Sequence, residues 1–93
     1  MIIEANEAIL TMFGYEEHEA IGKSALGFVA SEYRDQAQRN LLLGYEEPYE
    51  IVSVKKDGIH FDLEVRGKTS LYRGRAVRVT AVRDVTERKK AER

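Results

Sequence analysis

The sequence predicts an α+β domain in which short helices cover one face of an antiparallel sheet. Two observations predict it. Brief helical runs closed by glycines occupy the first half of the chain, and β-type runs separated by turn signals occupy the second half, from Tyr49 onward. A third bounds it: 93 residues with 43% hydrophobic content suffice for one compact core and not for two.

The opening "MIIEAN" offers a short apolar stretch, read as a strand stub, that stops at Asn6. Asn6 is a good N-cap for a two-turn helix over Glu7 to Phe13, and Gly14 closes it. The run from Glu16 to Ile21 is closed in the same way by Gly22, and Ser24 caps a further turn through Ala25 to Val29. Ser31 then precedes a segment reaching Leu43, in which Tyr33, Ala37 and Leu41 lie four apart and share one face. This segment is expected to be the longest helix, ended by Gly44.

After Pro48 the period changes. Three β-type runs follow, separated by "KKDG" at 55–58 and "YRGR" at 72–75. Phe61, Leu63 and Val65 alternate with Asp62, Glu64 and Arg66, which gives one apolar and one charged face. In the last run Val77, Val79 and Ala81 alternate with Arg78, Thr80 and Val82, a weaker contrast that predicts partial cover on both faces.

Charge and composition exclude several functions. With 15 basic and 16 acidic residues the net charge is -1, so no overall field draws in nucleic acid or an anionic membrane. There is no cysteine, which removes disulfides, thiolate nucleophiles and the common structural zinc sites. No apolar run approaches the roughly 18 residues of a membrane span, and the start lacks signal-peptide features, so a soluble, cytoplasmic module is expected.

Taken in order, "IIEANEAILTMFGYEEHEAIGKS", "GYEEPYEIVSVKKDGIHFDLEVRGK" and "YRGRAVRVTAVRDVTERKKAE" resemble a PAS domain, the sensory box of bacterial signal-transduction proteins. The resemblance covers nearly the whole chain. It implies a five-stranded antiparallel sheet whose connecting helices enclose a small pocket, with the sensor domain over residues 1–85 and the start of a coupling helix over residues 86–93. It also implies that one piece is missing here, the family's N-terminal strand, which lies between the strand that "MIIEA" resembles and the last one. Each buried backbone group left unpaired by that gap costs about 1–3 kcal/mol. Two closures are expected: "MIIEA" pairs with Val77–Val82, or a second copy supplies a strand by swapping or edge pairing, making a homodimer.

The chain ends "RDVTERKKAER", where Asp84 to Glu87 follow the D-x-x-E form of a capping box, with Asp84 accepting from the amide near Glu87 and Glu87 reaching back. Local sequence allows equally that Asp84 only caps a terminal helix. The resemblance makes Asp84, Thr86 and Arg88 the signal-transmission residues, leading to an output domain such as a histidine kinase or a diguanylate cyclase. The basic cluster Arg88-Lys89-Lys90 is diluted by Glu87 and Glu92 and lacks aromatics, so no nucleic-acid partner is expected.

Haem-binding relatives place a histidine on the long helix, and none lies between Ser31 and Leu43; His18 and His60 read as surface residues, so haem and metal are not expected. Without cysteine, covalent flavin and coumaroyl chromophores are excluded, which leaves noncovalent flavin, another small organic ligand, or none. The residues expected to approach a pocket are Phe28, Leu41, Ile51, Phe61, Leu63, Val77 and Val79, with Tyr33 and Tyr49 offering hydroxyls; the alternative is that they only fill the core.

Enzymatic readings fail on spacing. Gly67-Lys68-Thr69 resembles the end of a phosphate-binding loop, but the position five before Gly67 is Asp62, and the residues between alternate as a strand. The acidic pairs Glu16-Glu17 and Glu46-Glu47 read as solvated surface, and neither histidine accompanies a nucleophile motif. The expectation is a non-enzymatic sensing and dimerisation module, with a ligand-free dimerisation scaffold as the alternative.

Overall fold

The structure, a computed structural model, describes residue 2 and residues 4–92. Helix α1 spans Glu7–Phe13 and α2 spans Glu17–Ala20. Two 3-10 turns, Ala25–Phe28 and Ser31–Tyr33, lead into α3, Arg34–Leu42. Strands β1 (Tyr49–Val54), β2 (His60–Tyr72) and β3 (Arg75–Asp84) follow, and α4 spans Thr86–Glu92. The class is α+β, as expected.

The helix ends are set by local chemistry. The Ile9 amide donates to Asn6 Oδ1 at 2.8 Å, and Gly14, at φ 82, bonds back to Leu10 and Thr11 carbonyls in a left-handed conformation that a side chain would strain. The Leu26 amide donates to Ser24 Oγ at 3.3 Å. The expected long helix instead starts with a separate 3-10 turn, so α3 itself is 9 residues.

The sheet is an antiparallel meander in the order β1-β2-β3. β2 pairs with β1 from Val54↔His60 to Tyr49↔Val65, and with β3 from Leu63↔Asp84 to Tyr72↔Arg75. The β2–β3 hairpin turns on Arg73 and Gly74, at φ 51 and 77, the two left-handed residues of a tight turn whose twist suits the strands. The outer edge of β1 is partly covered: Val29 bridges Ser53, and the Ala30 amide donates to the Val52 carbonyl at 2.9 Å.

Among the described residues, no pairing of the N-terminal stretch with Val77–Val82 is present. Ile2 donates to the Lys23 carbonyl at 2.8 Å and accepts from the Gly22 amide at 2.7 Å, so the start of the chain is bonded beside the loop after α2 rather than along Val77–Val82. Met1 and Ile3, the rest of that apolar stretch, lie outside the described residues. Among the described residues β3 pairs only with β2, and the sheet has three strands, one fewer than the four expected when the family's five lack their first.

The core is built where helices and sheet meet. Phe13, Val29, Ala37, Ile51, Phe61, Leu63 and Val65 form one buried cluster. Phe13 stands edge-on to both Phe28 and Phe61, at ring-centre distances of 5.8 and 5.2 Å, an arrangement aromatic quadrupoles favour.

Candidate functional site

Between the inward face of the sheet and the helices beside it lies a cleft of about 880 Å³, open to solvent toward the hairpin. Its apolar wall includes Phe28, Leu41, Tyr49, Ile51, Leu63 and Val77 from among the residues the sequence singled out. Tyr33 and Phe61 pack in or against the core without lining it. Val79 is 54% exposed and belongs to the other face of the sheet.

The register explains that difference. Val65 is buried and inward, and its partner on β3 is Val82; the same face therefore carries Thr80 opposite Gly67 and Arg78 opposite Thr69. Val77, Val79 and Ala81 consequently stand with the outward set, although Val77 still borders the cavity. Alternation alone pointed to the valines because both faces of β3 are nearly equal in polarity.

Two polar groups at the cavity were not foreseen. Ser53 is 1% exposed, and its Oγ has no hydrogen-bond partner. Arg78 donates through Nη1 to Thr69 Oγ1 at 3.2 Å and through Nη2 to the Tyr45 carbonyl, while its buried Nε is unpartnered. Gly67 makes room for it: a Cβ there would lie 2.6 to 2.9 Å from Nη2, Nε and Cζ, so the guanidinium lies flat against a bare stretch of β2. The only sequence signal was a glycine inside a strand, which marks close approach of another group.

On the opposite face, the charged side of the sheet receives α4. Arg88 pairs with Glu50 of β1, and at 3.6 Å with Glu64 of β2; Lys89 bonds Glu50 at 2.8 Å. Hydrogen bonding from Lys89, opposed by burial and reinforced by the charges of Lys89 and Arg88, holds the Glu50 carboxyl below its usual range. The bond to Glu50 likewise raises Lys89.

The entry to α4 is anchored on β2. Val85 is buried, its amide donates to the Asp62 carbonyl at 3.0 Å, and the Asp62 amide donates to Thr86 Oγ1 at 3.2 Å. Asp84 Oδ1 accepts from the Thr86 amide at 2.9 Å. Burial pushes the Asp84 carboxyl up, but Thr86 and Lys55 together hold it below its ordinary value. The expected capping box is therefore corrected: Asp84 caps through Thr86, and Glu87 turns outward toward Lys90, at 3.8 Å, instead of reaching back.

His18 and His60 are both exposed, and no group of three His, Asp or Glu side chains among the described residues is arranged to hold a metal. No helix among the described residues is long and apolar enough to cross a membrane.

A cleft between short helices and an antiparallel meander, with an exit helix held on the sheet's far side, defines a small α+β domain. A family model described as PAS domain matches residues 1–87, and the chain belongs to that family. It is 28% identical over 95 residues to Sporulation kinase A of Bacillus subtilis (strain 168), covering 96% of this chain and 16% of that protein. It is 30% identical over 93 residues to the methyl sulfide methyltransferase-associated sensor of Methanosarcina acetivorans, covering 97% of this chain and 9% of that one. The chain thus spans a small part of the curated relatives it matches. Among solved structures, the light-state blue-light photoreceptor Aureochrome1 LOV superposes with a TM-score of 0.77 at 17% identity, over 97% of this chain and 75% of the other, a likeness of fold.

Proposed function

We propose that this PAS domain senses a small molecule in its cavity and passes the cavity's state through β2 to α4, and from there to an output domain such as a histidine kinase or diguanylate cyclase. It catalyses no reaction of its own. One observation carries this reading: neighbouring residues of β2 serve both sides. Leu63 and Val65 line the cavity, while Asp62 and Glu64 hold the start of α4 and Arg88. A shift of the strand by a fraction of an ångström therefore acts on both.

In this reading residues 1–85 are the sensor and residues 86–93 begin the coupling helix, with Asp84, Thr86 and Arg88 as transmission residues. Glu50 and Lys89 belong with them, because they close the same clasp. The names of the two relatives, a kinase and a sensor, support an output domain as partner. The chain has no cysteine, so a light-driven thiol adduct has no nucleophile here.

The domain acts as a homodimer. The edge of β3, which has no strand partner besides β2 among the described residues, and the outward, exposed Val79 and Ala81 on it favour pairing with a second copy. Native mass spectrometry tests both parts. A dimer with added mass supports sensing and pairing, a dimer of bare chains favours the ligand-free scaffold, and a bare monomer contradicts both.

A further inference from the structure

We propose that the cavity takes a carboxylate-bearing amphiphile, its anion held by Arg78 and its apolar chain running along β2 toward Val65 and Leu63; this rests on the ligand-sensing reading. Arginine carries five N–H donors in a planar fork. Two are used, by Thr69 Oγ1 and the Tyr45 carbonyl, and the buried Nε has no acceptor. None of the ion pairs among the described residues includes Arg78. A partly buried cation with unused donors is costly unless an anion completes it.

The surroundings point to the same chemistry. The charged residues of the lining are Arg73, Arg75 and Arg78 against Glu4 alone, so cations predominate at the hairpin end of the cavity. The Glu46 carboxylate lies close by, but it accepts from the Thr69 amide at 3.1 Å and is not part of the lining. Farther along the strand the wall turns apolar, with Val65, Leu63, Ile51 and Phe28. From Thr69, opposite Arg78, to Val65 is roughly 13 Å along β2, the run of a medium-length acyl chain. Ser53 sits beyond that reach, opposite Phe61, and is not assigned to the head group.

The experiment is a calorimetric titration of the whole chain with decanoate, and separately with decanol, at low and moderate salt. Decanoate is expected to bind more tightly than decanol and to weaken as salt rises. Arg78→Gln is expected to weaken decanoate by about tenfold or more, as the loss of hydrogen bonds to a charged group implies, and to leave decanol within about twofold. Arg78→Lys, which keeps the charge but not the fork, is expected to fall between. Equal binding of decanoate and decanol by the unmodified chain overturns the anion site while leaving an apolar ligand site standing. Binding of neither overturns both the anion site and the small-molecule reading beneath it.

Discussion

The two ends of the inward sheet face are built from one strand, yet they behave as different materials. At the β1 end, Phe61, Leu63 and Val65 meet α1, α3 and the loop between them, and Leu63 is 2% exposed. Toward the hairpin the same strand carries Gly67, Thr69 and Leu71, and Leu71 is 76% exposed. The difference is cover. Alternation sorts residues onto two faces, but only a second layer decides which face is a core, and here that layer covers only the β1 end of the sheet.

That contrast is broken most severely at its packed end. Leu63→Ala is expected to cost about 2–5 kcal/mol through lost contacts and the void left behind, measured by urea unfolding. Asp84→Ala should cost about 0.5–2 kcal/mol by freeing the Thr86 amide, and should lower helicity at residues 86–92 in circular dichroism and amide exchange. Unchanged helicity would remove Asp84 from the cap.

The clasp on the outer face gives a pH-dependent effect. The carboxyls of Glu50 and Asp84 titrate below their ordinary values when folded, so their contribution is complete at neutral pH and is lost as pH falls through the folded-state values. Lys89 is shifted upward, so its contribution is lost only as pH rises into the alkaline range, through its folded-state value. α4 is therefore expected to lose amide protection, referred to the intrinsic exchange rate at each pH, on acidification while β2 stays protected, and Glu50→Gln should bring that loss to neutral pH. At the bare end, Val79→Thr should change stability by no more than about 0.5 kcal/mol, and should weaken any dimer that dilution experiments resolve.

Much of the fold was legible because its signals are local. Asn6, Gly14 and Ser24 act within one turn of chain, and the Arg73-Gly74 hairpin is written in two residues. The candidate site was legible where periodicity was strong, as at Ile51 and Leu63, and failed where facing residues were alike. Nothing in "RAVRVTAV" says that Arg78 turns inward; the reason sits across the strand pair, at Gly67. The D-x-x-E spacing of Asp84 and Glu87 predicted a reciprocal cap, but the nearer Thr86 amide took Asp84. The clasp on α4 depends on Glu50, 38 residues from Arg88, a separation that no local pattern encodes.

The central claim is that the cavity on one face of the sheet and α4 on the other are joined through β2. The most direct measurement is hydrogen–deuterium exchange across Thr86–Glu92 in the unmodified chain and in Thr80→Phe, which fills the cavity from the inward face of β3. Coupling predicts a change in α4 exchange of about threefold or more, with the amides of β1 unaltered. Identical α4 exchange in the two chains, with the phenylalanine accommodated and the fold intact, would contradict it.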